Sequence, residues 1–526
     1  MRNQERERGK APLWEALLRY EREADVSFHV PGHKNGAMYK HSSSGLLRNV
    51  LKIDATEITG LDDLHHPEGV IEEAQRQAAS FFGAEETFFL VGGSTSGNLG
   101  LILTACCQPG DILLVQRNVH KSVLHGLMLA HAQAVFLAPE VDGASGLAVM
   151  PSAETVGEAL RRYPGAKGVL VTHPNYYGMG APLAQLAELC HAAGVPLLVD
   201  EAHGAHYGLA AELPQSALAQ GADGVVQSTH KMLGAMTMGA MLHVQGPLLD
   251  RPLLRQRLAM VQSSSPSYPI MASLDLCRSW LEQEGPAALA ESLAAAQQLR
   301  RGIQQLRRFK IVQPEVHFLQ DGGNSKRGSN SYPAYTAQDP FKVVLYDACQ
   351  EWSGYELQER LERRKCVPEM SDERYTVLAL GPGTTLDDVN HLLGVLHTLE
   401  AELGNSPDQP PEATHPLLST WNNRIGEAVS EPVAFHLTPP AEKTTEPIAL
   451  EQSAGRMAAE MVIPYPPGIP LLYPGETVSP ETAARLIALR EGGSRFQGAK
   501  DPSLQQIQVY SSGNSRNEDS KPEEKQ

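Results

Sequence analysis

Residues 195–231, VPLLVDEAHGAHYGLAAELPQSALAQGADGVVQSTHK, decide the fold. Two short apolar runs, VPLLVD (195–200) and DGVVQSTHK (223–231), each end in polar and titratable residues, with one crossover between them. Runs that are apolar on every residue, rather than on alternate residues, belong to strands buried on both faces, as in a mainly parallel sheet. The same pattern recurs upstream in TFFLVGGSTSGN (87–98), DILLVQRN (111–118) and AKGVLVTHP (166–174). Helical stretches separate these runs, among them VIEEAQRQAASFFG (70–83), which stops at Gly83, and APLAQLAELCHAAG (181–194). Strands alternating with helices predict an α/β domain over 26–290, and its ligand belongs at the carboxyl ends of the strands, where this chain collects its polar residues.

Outward from this block the pattern changes. Residues 1–25 read as a charged tail and a short helix, APLWEALLRYERE, and FHVPGHKNG (28–36) as a strand entering a loop. After LAAAQQLRRGIQQLRRF, a helix, FKVVLYDA and YTVLALGPG predict strands of a smaller α+β domain over 291–490, and DDVNHLLGVLHTLEAEL predicts a further helix. Residues 404–447 read as an irregular crossing. MVIPYPPGIPLLYPGE, with five prolines, reads as ordered but neither helix nor regular strand, and 491–526 as a disordered tail.

The chain has 526 residues, a formal net charge of −17 and 42% hydrophobic residues, which predicts more than one domain. An acidic balance argues against a nucleic-acid partner held through phosphates. The absence of a long apolar run argues against a membrane span, and the charged N-terminus MRNQERERGK against a secretory leader, so a cytoplasmic location is expected. Six scattered cysteines form no C-x-x-C pair and read as reduced structural thiols.

Four elements carry candidate chemistry. Lys231 follows an apolar strand and precedes small residues, so it is placed to enter a strand-end cleft, where burial favours the neutral amine needed for imine formation; a surface lysine is the plainer alternative. Asp200 ends the preceding strand, where a carboxylate suits the protonated nitrogen of a pyridine ring, although a helix cap or a metal site with His203 and His206 fits the same residues. Gly92–Asn98 (GGSTSGN) enters a helix and suits a phosphate, but it is neither a P-loop nor a dinucleotide motif. His120, in RNVHKS after a strand, suits stacking on a flat ring or is a satisfied polar histidine. The conjunction of the four points to pyridoxal 5′-phosphate, with no metal.

The chain resembles the bacterial Orn/Lys/Arg decarboxylase family, class I, in its short form without an N-terminal response-regulator-like domain. The matching segments are FHVPGHKNG (28–36), TGLDDLHHPEG (59–69), VGGSTSGN (91–98), VQRNVHKS (115–122), THPNYYG (172–178), VDEAHGAHYG (199–208), QSTHKMLGAMTMGAML (227–242), SSSPSYPIMASLD (263–275) and IPYPPGIPLLYPGE (463–476). The resemblance implies an aspartate-aminotransferase-like fold (fold type I). It implies a basic amino acid as substrate, with arginine expected ahead of lysine and ornithine, loss of CO2 and a product amine for polyamine synthesis. Lys231 then matches the Schiff-base lysine, Asp200 the pyridinium partner with His203 near it, and His120 the residue stacked on the ring. Ser94, Thr95, Ser96, Ser228 and His230 match phosphate or cofactor contacts. Ser264 and Ser265 match a segment that reaches the neighbouring subunit in a homodimer or larger homo-oligomer. Glu369 matches an acidic residue at the substrate end, with Asp372 and Glu373 as further candidates for the distal cation. His230 or Lys231 is expected to return a proton to the α-carbon. An aminotransferase or aldolase of the same fold is the alternative.

Overall fold

The computed structural model describes residues 9–23, 26–41, 45–314, 334–402, 428–438, 444–465 and 468–511. They form two compact units that divide between Phe435 and His436.

The first unit is built on the sheet expected from the apolar runs. Its strands are β1 (Glu86–Leu90), β2 (Ile112–Gln116), β3 (Gln133–Leu137), β4 (Val169–Thr172), β5 (Leu197–Asp200), β6 (Gly224–Gln227) and β7 (Ala240–Val244), in the order β1-β7-β6-β5-β4-β2-β3. Neighbours from β3 to β6 pair parallel, and β7 runs antiparallel to both β6 and β1. β4 to β7 are buried at every position, because helices cover both faces. Register is firm here, with Val199 opposite Val225 and Asp200 opposite Val226. A two-residue strand, Val433–Ala434, adds antiparallel to the β3 edge. It lies in the stretch expected to be an irregular crossing, whose residues 403–427 and 439–443 lie outside the described residues.

A smaller antiparallel sheet of the same unit orders Met370–Ser371, Thr376–Ala379, Lys342–Asp347 and Phe309–Ile311. It packs through Phe309, Phe341, Val343 and Leu345 against Leu293, Leu299 and Ile303 of the helix Gly285–Gln305 and Leu396 and Leu399 of the helix Leu386–Glu402. This is the expected α+β element, but the boundary expected at 290/291 falls inside the continuous helix Gly285–Gln305. After its N-terminal Pro286 that stretch is rich in alanine and straight side chains and carries no breaker until Gly302, so nothing interrupts the helix. The second unit, from His436, pairs Thr445–Ala449 with Gln506–Tyr510 and Ile463–Tyr465 with Arg495–Gln497 around the helix Pro480–Glu491. Two expectations change here. Ile463–Tyr465 is a short strand despite its proline. The chain beyond 491 is ordered through Ser511, because QIQVY (506–510) alternates so that Ile507 and Val509 enter a core with Leu472 and Leu486.

FHVPGHKNG also departs from expectation. No strand forms; Lys34, Asn35 and Gly36 take φ of 51°, 52° and 79°, and left-handed residues in succession end any extended run before the 3-10 turn Ala37–Tyr39. The TGLDDLHHPEG segment is held by one carboxylate. Asp62, itself at φ 67°, accepts the N–H groups of Asp63, Glu68, Gly69, Ile71 and Glu72, which caps the helix Val70–Phe82. His65 of this loop then meets Ser263 O through Nε2 at 2.8 Å, which fixes the loop carrying Ser264 and Ser265. Partial burial raises the Asp62 carboxyl, but the backbone donors at Glu68, Asp63, Gly69 and Glu72 outweigh it and leave it below the ordinary value. A depressed carboxylate stabilises the fold above its unfolded pKa, and that stability is lost as pH falls through the folded one. Asp62→Ala is expected to cost roughly 1–2 kcal/mol at neutral pH in urea unfolding. Asp62→Asn, which tolerates the positive φ, is expected to differ less and less from wild type as pH falls below about 4; a constant difference across pH would contradict this account.

Candidate active site

The carboxyl ends of β5 and β6 converge on one polar cluster. Asp200 is the last residue of β5 and is buried. Its Oδ2 accepts from Asn98 Nδ2 at 2.8 Å and its Oδ1 from Ala202 N at 3.2 Å. Burial pushes the carboxyl up, while the Asn98 amide, the Lys231 charge and the Ala202 N–H act against it. The same Asn98 amide donates to Ser122 Oγ at 3.0 Å, and Ser122 N donates to His120 Nδ1 at 3.2 Å. Asn98 thus ties Asp200 to His120, the N-cap of the helix Lys121–Ala130. Burial, with Lys231, Lys121 and His125 nearby, lowers His120 to about 3, so its imidazole is neutral at physiological pH.

Lys231 follows β6 on the short helical turn Thr229–Met232. It is solvent-accessible in a single chain, yet it stands among enough protein for burial to lower its ammonium, with Asp200 and Glu369 acting in the opposite sense. Its Nζ is 3.2 Å from His203 Nε2 and 5.7 Å from the ring centre of Tyr176, and Tyr176 in turn packs on the His203 ring at 4.6 Å. His203 is fully buried, and burial with Lys231, Lys342, His120 and His206 around it holds it well below the ordinary histidine value. His230 turns the other way, with Nδ1 at 2.9 Å from Gly239 O.

Next to this cluster is a cradle of donors. The helix Gly93–Ala105 begins at Gly93, at φ 72°, so the expected glycine-rich loop is shorter than the motif, and Ser94, Thr95 and Ser96 occupy the helix's first turn. Ser94 is half-buried and Thr95 exposed, while Ser96 Oγ donates back to Gly93 O. Ser228 is buried, and its Oγ has no hydrogen-bond partner. A buried hydroxyl left unmatched asks for a ligand acceptor.

Of the remaining expected residues, Ser264 and Ser265 are exposed within one chain, on the loop fixed by His65. Glu369 is exposed at the strand end before Met370, with its N–H on Val377 O, and its charge acts on Lys231, His230 and Lys342. Asp372 is committed to its turn: Oδ1 accepts from Arg374 N and Tyr375 N, and Oδ2 from Tyr177 OH at 2.5 Å. His206, weighed as a metal ligand, lies 3.0 Å from Asp339 Oδ1, and among the described residues no group of three His, Cys, Asp or Glu side chains is arranged to hold a metal ion. Two site residues escaped the sequence reading. Asn98 closes the GGSTSGN motif and faces the sheet. Lys342 begins the strand Lys342–Asp347, is 1% exposed, and places Nζ 3.3 Å from His203 Nδ1. A lysine opening the apolar run VVLY was the available signal.

Behind Asp200, polar side chains link the residue after β5 to β6, β7 and β1. Glu201 is fully buried and accepts from Gln227 Nε2 and Ala217 N; Gln227 Oε1 meets His243 Nε2, and His243 Nδ1 meets Thr87 Oγ1. Burial raises Glu201 to about 8 and lowers His243 to about 3, so the link is uncharged at neutral pH.

No helix among the described residues is long and apolar enough to cross a membrane. Residues 11–388 match the Orn/Lys/Arg decarboxylase major domain, and 428–508 the C-terminal domain of the same family. The chain is 34% identical to an arginine decarboxylase of Bacillus anthracis, over 95% of this chain and 97% of that one. It is 39% identical to the Bacillus subtilis protein YaaO, which is described as uncharacterized, over 95% and 98% of the two chains. Its structure superposes on the lysine decarboxylase LdcF of Francisella novicida with a TM-score of 0.76 at 22% identity, covering 95% of this chain and 81% of that one. The fold is therefore the expected fold type I, with its mainly parallel sheet, smaller α+β element and C-terminal domain. The chain belongs to the Orn/Lys/Arg decarboxylase family and is an amino-acid decarboxylase acting on basic amino acids.

Proposed function

We propose that the preferred substrate is arginine, ahead of lysine and ornithine, that Lys231 holds pyridoxal 5′-phosphate, and that the product amine enters polyamine metabolism. The observation that carries the reading is the convergence of Lys231, Asp200, His203 and His120 at the carboxyl ends of β5 and β6. Arginine is favoured because the relatives of similar length that carry a substrate name, from two Bacillus species, are named arginine decarboxylases and align at 33–34% identity over 95% of this chain; at 26% identity the Escherichia coli relatives include both a lysine and an arginine decarboxylase.

The residues present fit that cofactor. Ser228 Oγ is a buried hydroxyl without a partner, and Ser94, Thr95 and Ser96 stand at a helix N-terminus, which suits a phosphate. Asp200 is a buried acid whose hydrogen-bond donors are one amide and one backbone N–H, so a ring N–H cation would offset its desolvation. His120 is a neutral flat ring suited to stacking, and His203 adjoins Lys231. When bound, the cofactor supplies an electron sink for the pair left behind as CO2 departs.

The chain's own residues then have defined tasks. Lys231, its ammonium destabilised by burial, offers a neutral amine to a carbonyl. Asp200 stabilises positive charge beside it. Glu369, exposed and near enough for its charge to act on Lys231, is the proposed acceptor for a distal guanidinium or ammonium. Lys231 returns the proton to the α-carbon, since His230, the other expected donor, is turned away onto Gly239 O. A second copy of the chain is inferred to complete the site. Ser264 and Ser265 are exposed, and Val26, Phe28, Val30, Met38 and Leu46 leave an apolar stretch uncovered in one chain. A cytoplasmic homodimer is the expected minimum.

Incubation with arginine, lysine and ornithine is expected to release CO2 and amine fastest from arginine, with no keto acid formed. Lys231→Ala is expected to lose both turnover and the visible absorbance of the cofactor-loaded protein; an unchanged spectrum in that variant would overturn the assignment. Glu369→Gln is expected to raise KM for arginine about 10- to 100-fold with kcat less affected, as for loss of one charge-assisted hydrogen bond made equally before and during reaction.

A further inference from the structure

His120 Nδ1 meets two groups of one residue. Ser122 N lies 3.2 Å from it and Ser122 Oγ 2.9 Å. A backbone N–H only donates, so Nδ1 accepts there and carries no proton of its own. A ring proton on Nδ1 would set N–H against N–H. The hydroxyl follows the same polarity: Nδ1 has no hydrogen to give, so Ser122 Oγ–H donates to it and shares its lone pair with the backbone N–H. The one proton of the neutral ring is then on Nε2, the nitrogen that does not cap the helix Lys121–Ala130. Among the described residues Nε2 has no hydrogen-bond partner.

The polarity of this contact is set further back. Asn98 Nδ2 lies 2.8 Å from Asp200 Oδ2 and 3.0 Å from Ser122 Oγ. A carboxylate only accepts, so the Asn98 amide turns its NH2 group to Asp200. The second N–H of that group then goes to Ser122 Oγ. A hydroxyl that accepts on one side has its own hydrogen for the other, and Ser122 gives it to His120. Asn98 and Ser122 are each 1% exposed, so water offers them no other polarity. Asn98 Oδ1 is buried without a partner. An under-satisfied carbonyl oxygen is the commoner orphan, and the reversed amide would leave an NH2 group in its place.

We propose that Asn98 and Ser122 are positioning residues of the reaction: an ordered hydrogen-bond chain runs from the Asp200 carboxylate through them to His120 and fixes the imidazole as the Nε2–H tautomer, with Nδ1 closed to protons. The inference rests on the reading in which Asp200 faces a ring N–H cation and His120 stacks on that ring. Such a cation repels an imidazolium laid over it but not a neutral imidazole. Asp200 then acts twice. It favours a proton on the ring nitrogen directly, and through Asn98 and Ser122 it disfavours one on the stacked histidine, because donors to the neutral form oppose protonation. The other groups facing His120 are Lys231, Lys121 and His125, whose charges act in the same direction, and His203. The Nε2–H is left as the only hydrogen the ring can donate.

The test is an imidazole 15N–1H correlation spectrum of the full-length chain, labelled at histidine, before cofactor is added, with His120→Gln to assign the resonance. Wild type is expected to carry hydrogen on Nε2 alone, with Nδ1 at the shift of a hydrogen-bonded imine nitrogen. Ser122→Ala removes one donor and is expected to move Nδ1 toward the shift of a free imine nitrogen; Ser122→Thr is expected to restore it. Asn98→Ala touches neither nitrogen of His120 but releases the Ser122 hydroxyl, so Nδ1 is expected to move in the same direction. In the cofactor-loaded enzyme, kcat of Ser122→Ala is expected to fall about 10-fold, the worth of one net hydrogen bond, with KM within about twofold of wild type. Hydrogen on Nδ1 in the wild-type chain would refute the proposal, and so would folded Ser122→Ala and Asn98→Ala chains that keep the wild-type Nδ1 shift. Should neither variant fold, the wild-type tautomer decides by itself. A wild-type chain with hydrogen on Nε2 that gains no visible absorbance with pyridoxal 5′-phosphate would confirm the array and remove the Lys231 assignment instead.

Discussion

Burying ionisable groups together at one edge of a sheet is the constraint on which the rest depends. Asp200, His203, Lys231 and Lys342 would each be costly to bury alone, since desolvation disfavours every charge among them. The parallel strands make the arrangement tolerable, because their carboxyl ends open onto helix N-termini and loops rather than onto further apolar surface. Each group is then stabilised by another: Asp200 by Asn98, Asn98 with Ser122, and His203 by a lysine on either ring nitrogen. The reactivity assigned to Lys231 is a product of this crowding, because the surroundings that lower its ammonium are those that hold it in place.

Most of the large sheet was legible in the sequence because buried parallel strands leave unbroken apolar runs, and VLVT, LLVD and GVVQ leave no second interpretation once helices separate them. The site followed from position, since Asp200 and Lys231 close two adjacent runs. What escaped detection lacks a local signature. Lys342 belongs to the site only because the chain returns past Gly178, and Asn98 only because the helix starts at Gly93 and turns that side chain inward. Polar sequences misled in the opposite direction. QIQVY was grouped with a charged tail although its alternation fits a half-buried strand, and FHVPGHKNG looked extended until three left-handed residues broke it. Ser264 and Ser265 are of another kind: one chain supplies the loop but not the surface it was expected to touch.

The N-terminal segments serve the site at a distance. Asp62 gathers five backbone donors, and His65 passes that rigidity to the loop after the helix Arg251–Val261. A loop held this way presents its hydroxyls without conformational search, which lowers the ordering cost of meeting a partner.

The uncharged polar link behind Asp200 has a consequence of its own. Glu201 keeps its proton up to about pH 8 in the folded chain, while in the unfolded chain it would release it near 4.5. Between those limits the native state carries a hydrogen ion that the denatured state has given up, so acidification across that interval reinforces the fold and alkalinisation erodes it. Through this one carboxyl, an enzyme whose reaction takes up acid from its surroundings is made less robust by the rise in pH that its own turnover causes.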